Sequence, residues 1–232
     1  MENVNIQIIA RIKSDFPSKF GIPRQSGLVE ELVSTIIFEP EFRNSDTLRG
    51  IENFSHIWLI WQFSEAAGKG WTPTVRPPRL GGNTRMGVFA TRSPFRPNSL
   101  GLSSVKLINV EQTAQYGPVL HVAGADLMDG TPIFDIKPYI PYGDSHPDAT
   151  GGFTDNVSDF LLDVNVTDDL LEKIPHSKRS ALLGVLSHDP RPSYQNDPDR
   201  IYGLEFAGYN VRFKVSEKTL TVIEVDRYDY HN

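Results

Sequence analysis

The sequence predicts a mainly β protein, with a β-barrel or β-sandwich in roughly the first 150 residues and a smaller α+β region after them. Short runs of β-branched and aromatic residues alternate with Gly- and Pro-containing turns up to about residue 140. A polar, acidic stretch at 146–157 has the composition of a linker. Helix patterns occur only beyond this stretch. We therefore expect two domains, at residues 1–150 and 151–232.

The N-terminal strands are expected where apolar residues alternate or cluster between turn residues. In chain order, the predicted strands cover residues 6–12, 32–38, 54–63, 86–90, 103–110, 119–123 and 133–136. The third strand, FSHIWLIWQF, is continuously apolar and aromatic, which predicts a fully buried strand. This setting favours a hydrogen-bonded core role for His56 over a role as a metal ligand. The turn MDGTP, at 128–132, precedes the last strand.

The C-terminal region combines strand and helix patterns. A strand is expected at 160–166, and Thr167 followed by two Asp residues predicts the start of a helix. Ser177 is a candidate N-cap for a second helix that ends near Leu186. Two further strands are expected, at 209–215 and 220–225.

Composition narrows the possible function classes. The chain has no Cys, which excludes disulfides and thiolate metal sites and suits a reducing cytoplasm. No pair among its 6 His residues has ligand spacing, so no metal is expected. The sequence has no apolar run of about 18 residues and no N-terminal stretch with a basic and then an apolar part. We therefore expect neither a membrane span nor a secretory signal.

Basic charge is concentrated in one segment, residues 66–110, which contains no Asp or Glu. It carries 7 of the 23 Lys and Arg residues, so its net charge is +7, and the other 16 basic and 29 acidic residues leave −13 elsewhere. Most of these cations are Arg, which can direct two donors onto one phosphate or carboxylate. They lie among Pro, Gly and Asn, which predicts loops. The pattern indicates an anion- or nucleotide-binding site, although a merely solvated basic face has the same composition.

Several standard site motifs are absent. The run GGNTRMG, at 81–87, lacks both the Lys-Ser/Thr of a P-loop and the spacing of a dinucleotide-binding turn, and no G-x-S-x-G elbow occurs. Three carboxylates that are close in sequence, Asp126, Asp129 and Asp135, leave a carboxylate-dependent hydrolase open. A non-catalytic regulator that binds RNA or an effector is a further alternative, and it would show salt-dependent RNA affinity without turnover.

Four segments resemble one known family. They are VRPPRLGGNTRMGVFATRSPFRPNSLGLSSVKL at 75–107, FSHIWLIWQF at 54–63, DLMDGTPIFDIKPYIPY at 126–142 and DPRPSY at 189–194. In order and spacing they look like the TrmO (YaeB-like) family of S-adenosylmethionine-dependent tRNA methyltransferases. The resemblance covers nearly the whole chain, and the long Arg/Pro/Asn run is its most specific part.

The resemblance implies a fold and an activity. The family has an N-terminal β-barrel that binds the methyl donor and a smaller C-terminal α+β domain, in which tRNA contacts are expected. Its members transfer a methyl group from S-adenosylmethionine to N6 of threonylcarbamoyladenosine at position 37 of threonine tRNAs. They form homodimers, with the donor near the subunit interface.

The resemblance also assigns the donor site. Its positions here are Gln25, Ser26, Gly27, Ser64, Glu65, Arg92, Leu102, Leu127, Met128, Asp129 and Gly130. On chemical grounds we expect Arg92 to bind the donor carboxylate and Asp129 to lie near the sulfonium. Leu102 and Leu127 are expected to hold the adenine.

Catalysis and RNA binding are assigned to further residues. Asp135 is the candidate base for the N6 proton, with Lys137 as an electrostatic helper. Candidate tRNA contacts are Arg76, Arg79, Arg85 and Arg96 on phosphates, Tyr139, Tyr142 and Tyr194 on unpaired bases, and Arg191 in the C-terminal motif.

Overall fold

The computed structural model describes residues 4–81, 83–155, 160–192 and 197–228. Its strands are β1 Ala10–Lys13, β2 Val33–Phe38, β3 His56–Gln62, β4 Thr74–Val75, β5 Met86–Gly87, β6 Leu100–Thr113, β7 Gly117–Ala123, β8 Pro132–Pro138, β9 Asp163–Asn165, β10 Tyr202–Phe206, β11 Tyr209–Ser216 and β12 Thr219–Arg227. The α-helices are α1 Pro141–Asp144, α2 Asp168–Glu172 and α3 His176–Ser187. Short 3-10 helices cover Pro40–Phe42, Ser45–Leu48, Ile51–Asn53, Pro78–Leu80, Val88–Ala90 and Gly152–Thr154. The expectation of a mainly β protein is confirmed.

The N-terminal sheet contains six strands in the order β1-β2-β7-β6-β3-β8. Every pairing is antiparallel, and β8 also pairs with β1, so the order closes on itself. Alternate residues point inwards and form one apolar core, which includes Ile12, Ile36, Leu59 and Leu120. Burial of this inner face is what fixes the register of the strands.

Strand β3 differs from its prediction. The sequence predicts a fully buried strand, yet burial alternates, with Ile57, Leu59 and Trp61 inside and the intervening side chains partly exposed. His56 is exposed, and its Nδ1 lies 3.0 Å from the hydroxyl of Ser55, so the expected core role of His56 is wrong. The reason is that only one face of this sheet is covered, and an apolar run does not reveal which face that is.

Three chain connections meet at one end of the six-stranded sheet, which we call the loop end. They are residues 14–32 between β1 and β2, residues 63–99 between β3 and β6, and residues 124–131 between β7 and β8. They share this end because consecutive strands of the closed order run in opposite directions. The connections 39–55 and 114–116 lie at the opposite end, which we call the far end.

The long connection 63–99 contains a small sheet of its own. Strand β4 pairs with β5, where the sequence predicts one longer strand at 86–90. That prediction holds only for the first two residues, because the chain turns into a 3-10 helix at Val88–Ala90.

The C-terminal sheet has the order β10-β11-β12-β9 and packs with α3 around a second core. The strand expected at 160–166 is limited to β9, which runs parallel to β12. Helix α2 follows Thr167 as expected. Helix α3 begins at His176 rather than after Ser177, because Pro175 holds the extended backbone of the cap position.

The first connection joins the two cores. Phe16, Val29 and Leu32 belong to the C-terminal core although they lie between β1 and β2. Asp15 also pairs with Lys178 of α3 at 2.6 Å, and both side chains are partly buried. The segment 14–32 is therefore held from both sides. None of the helices in the described ranges is long and apolar enough to cross a bilayer.

Candidate functional site

The loop end gathers most of the residues expected to bind the donor. Residues 25–27 lie in the first connection, residues 64–65 and Arg92 in the second, and residues 127–130 in the third. These positions are up to about a hundred residues apart in sequence and meet only because of strand order. Leu102 is the exception, since it lies within β6.

Arg92 and Gln25 link two of these connections. The guanidinium of Arg92, which is exposed, donates a hydrogen bond to Oε1 of Gln25. An exposed guanidinium held in this way presents its remaining donors to solvent, where a carboxylate can accept two of them. The expected role of Arg92 is compatible with this geometry.

The backbone at Gly27 lies against the third connection. Its amide donates to the carbonyl of Gly124 at 2.8 Å. A Cβ on Gly124 would come within 3.1 Å of the Cα of Gly27, so a side chain there would separate the two loops. Gly27 has φ +80, and the space where its own Cβ would lie is open. The loop thus offers bare backbone to a ligand.

Asp126 is a residue of this site that the sequence analysis did not assign to the donor. Its carboxylate accepts a hydrogen bond of 2.6 Å from the hydroxyl of Ser103, which in turn accepts one of 3.0 Å from the indole of Trp61. Burial raises the pKa of Asp126 above 3.8, while the Ser103 hydrogen bond and the positive charge of Arg92 act to lower it. This buried chain connects the inner face of the sheet to the loop end.

The turn 127–130 is fixed against the end of β1. Asp129 accepts a hydrogen bond of 2.9 Å from the amide of Ser14 through Oδ1, and the amide of Gly130 donates to the carbonyl of Ile12 at 2.8 Å. The side chain of Leu127 is fully buried in the N-terminal core. The side chain of Leu127 therefore packs inside the protein. The exposed residues of this turn are Asp129 and Gly130.

Leu102, Asp135 and Lys137 lie on the outer face of the sheet. Ile60 of β3 pairs with Leu102 on one side and with Asp135 on the other, so the three form one row. At about 4.8 Å per strand, the Cα atoms of Leu102 and Asp135 are about 10 Å apart. The Asp135 carboxylate forms an ion pair of 2.9 Å with Lys137, and both side chains are substantially exposed.

The two described tyrosines predicted to contact RNA lie beyond this row. Tyr139 packs on Trp58 with ring centroids 5.6 Å apart and ring planes tilted by 42°, so part of its ring is already in contact with the protein. Tyr142 is 93% exposed. Tyr194 lies outside the described residues.

The predicted phosphate contacts differ in how firmly they are held. Arg76 is exposed. Arg85 donates to the hydroxyl of Thr74 at 2.8 Å, and Arg96 donates to the carbonyl of Thr91 at 3.2 Å. The side chain of Arg79 lies outside the described part of the structure.

Arg191 is held in an ion pair within the protein. Its side chain is 9% exposed, and two of its guanidinium nitrogens contact the two carboxylate oxygens of Asp189 at 2.8 and 2.9 Å. The hydrogen bond with Asp189 raises the pKa of Arg191 above its usual range. The expected phosphate contact of Arg191 would compete with this half-buried pair, which sequence alone does not reveal.

The far end carries an open groove of about 710 Å³, lined by residues that include Leu48, Phe54 and Leu107. None of the predicted site residues whose side chains the structure describes lines this groove. No group of three or more potential metal ligands occurs in the described ranges.

Two family models match the chain, and together they cover most of it. The model for the N-terminal domain of tRNA-methyltransferase O matches residues 11–145, and the TrmO C-terminal domain matches residues 161–228. The chain belongs to the TrmO family. The positions that form the loop end all fall within the first match.

Individual TrmO relatives support this assignment along the full length. The tRNA (adenine(37)-N6)-methyltransferase of Escherichia coli K12 is 37% identical over 234 residues, covering 97% of this chain and 99% of the relative. The enzyme of the same name from Eikenella corrodens is 47% identical over 173 residues, covering 74% and 96%. The crystal structure of TrmO from Pseudomonas aeruginosa superposes with a TM-score of 0.77 at 31% identity, covering 97% of this chain and all of the other.

Proposed function

We propose that this protein is an S-adenosylmethionine-dependent tRNA (adenine(37)-N6)-methyltransferase whose substrate is N6 of threonylcarbamoyladenosine in threonine tRNAs. One observation carries the proposal. Three chain connections that carry the expected donor-binding residues meet at the loop end, in a chain that is 37% identical over nearly its full length to an enzyme of that name. Shared overall fold would be weaker support, because one fold can host many activities.

The residues at the loop end fit the chemical groups of the donor. Arg92 suits a carboxylate, and the open backbone at Gly27 suits a polar or planar group that must approach closely. We assign donor binding to these residues together with Gln25, Ser26 and the turn 127–130. When bound, S-adenosylmethionine supplies an electrophilic methyl group on a sulfonium.

The outer face supplies candidates for proton transfer. Asp135 is partly exposed and can accept the N6 proton, while the Lys137 ammonium beside it stabilises the carboxylate before the transfer. Alignment of donor and acceptor accounts for most of the acceleration expected of a methyl transfer. Leu102, in the same row as Asp135, contributes an apolar contact to the bound ligands.

We further propose how the chain is organised. The closed six-stranded sheet is a β-barrel within an N-terminal donor-binding domain of residues 1–150, and residues 151–232 form a smaller α+β domain. The active form is a homodimer in the cytoplasm, where tRNA is modified. The separate core of each region supports the division, and the shared segment 14–32 couples the two.

Methyl transfer to RNA tests the proposal directly. The purified full chain is incubated with S-adenosylmethionine and with tRNA from cells that lack this protein, and nucleosides are analysed by mass spectrometry. We expect threonylcarbamoyladenosine to gain one methyl group, and tRNA without the threonylcarbamoyl group serves as the control. Donor binding without any transfer would instead indicate a regulator, and lack of donor binding would exclude the proposal.

A further inference from the structure

Three large aromatic side chains are exposed in the acid-free segment. Trp71 is 52% exposed, Phe89 is 76% exposed and Phe95 is 46% exposed. We call these three residues the aromatic surface. Exposed aromatic groups in one region commonly mark a binding surface, because their apolar area is costly to leave in water.

Backbone hydrogen bonds place the three residues on one structural unit. The amide of Thr72 donates to the carbonyl of Phe95 at 3.4 Å, and the amide of Val88 donates to the carbonyl of Pro73 at 3.0 Å. The backbone on the C-terminal side of Trp71 therefore lies against Phe95, and the backbone on the N-terminal side of Phe89 lies against Pro73. The pairing of β4 with β5 continues the same unit towards Arg85.

The charge around the aromatic surface restricts what it can bind. Residues 66–110 carry a net charge of +7 and no acid. A second copy of this chain docking through the same surface would bring like charges together. An RNA with unpaired bases offers both complementary properties, since its phosphates are negative and its bases have flat apolar faces.

We infer that Trp71, Phe89 and Phe95 stack against unpaired bases of the RNA substrate while neighbouring arginines contact its phosphates. The inference rests on the proposed function for the identity of the RNA. It assigns base stacking to the connection 63–99. None of the tyrosines expected to contact RNA lies in this connection.

Two alanine variants, Trp71→Ala and Phe89→Ala, test the inference. Their affinities are measured at several salt concentrations for two RNAs of equal length, a hairpin with an unpaired loop and a fully paired duplex. Each variant is expected to bind the hairpin roughly tenfold or more weakly, as for loss of one stacked base. The duplex affinity and the salt dependence are expected to stay as in the wild type, because no charge is removed.

The matched control is Phe54→Ala. Phe54 is 39% exposed, but it lies at the far end beside Glu52. It should leave both RNA affinities unchanged. Wild-type hairpin affinity in the Trp71 and Phe89 variants would overturn the inference. So would a weaker self-association of these variants in sedimentation, which would assign the surface to a second copy.

The same samples separate this inference from the proposed function. One outcome is that the wild type binds the hairpin through the aromatic surface and still transfers no methyl group to tRNA that contains threonylcarbamoyladenosine. In that case the proposed function fails and the stacking surface stands. If methyl transfer occurs and the aromatic variants bind and react as the wild type does, only the stacking surface is wrong.

Discussion

Two carboxylates of the N-terminal region, one in the connection between β7 and β8 and one within β8, have different surroundings. Asp126, at the loop end, is largely buried, accepts a hydrogen bond from Ser103 and lies near Arg92. Asp135, on the outer face, is 45% exposed, forms an ion pair with Lys137 and accepts a hydrogen bond of 2.9 Å from the amide of Ile136. The difference indicates that Asp126 holds the connection after β7 against β6, whereas the exposed carboxylate of Asp135 can contact a substrate.

Energetics supports this division of roles. A hydrogen-bonded group that is buried costs about 1–3 kcal/mol when its partner is removed. An exposed ion pair contributes roughly 0–1 kcal/mol, so evolution can alter it with little loss of stability. A substitution of Asp126 should therefore affect mainly the stability of the protein, and a substitution of Asp135 mainly its activity.

The largest effect is expected from Asp135→Asn. Loss of a proton acceptor should lower the rate of methyl transfer by roughly 10²–10⁴-fold, measured under single-turnover conditions. The free energy of unfolding should change by less than about 1 kcal/mol. Asp46→Asn is the control, because Asp46 also forms an exposed ion pair, with Arg49 at the far end. Full activity of the Asp135 variant would remove it from the reaction.

Arg92→Ala should have the next largest effect. Removal of a charge-assisted contact worth about 1.5–3 kcal/mol should weaken donor affinity roughly 10- to 100-fold in calorimetric titration. Affinity for tRNA should fall less. Arg85 contacts Thr74 rather than Gln25, so Arg85→Ala should weaken the affinity for tRNA more than the affinity for the donor. The opposite pattern for the two variants would contradict the assignment of the donor site.

The smallest effect is a change in pH dependence with Asp126→Asn. Burial raises the folded-state pKa of Asp126 above 3.8, so the folded state binds more protons and wild-type stability falls as pH rises through that window. Asn does not titrate, so the variant does not lose this stability. The unfolding free energy of the variant minus that of the wild type should therefore increase as pH rises from about 4. Urea titrations at several pH values measure this difference. A difference that does not vary with pH would mean that burial has no such effect.

The sequence was sufficient for the β class and for most strand positions. Strands β2, β7 and β8 lie within two residues of their predicted ranges, because turn residues flank short β-branched runs. The outer face of β3 was not predictable. Trp58 and Ile60 are as apolar as their buried neighbours, so composition alone does not show that they stay partly exposed.

For the site, the sequence supplies candidate residues but not their arrangement. The resemblance supplied residues 25–27, Arg92 and 127–130, yet their meeting depends on the strand order of a closed sheet. The link between Asp126 and Ser103 also requires the register between β6 and the connection after β7. Likewise, the ion pair of Arg191 involves Asp189, whose φ is +50, and the sequence pattern does not predict this backbone conformation.

A crystal structure of the protein with S-adenosylmethionine tests the central claim most directly. We expect the donor at the loop end, with its carboxylate on the guanidinium of Arg92 and its body against the backbone of residues 25–27. Donor bound instead in the far-end groove beside Leu48 and Phe54, with Arg92 making no contact to it, would contradict the account.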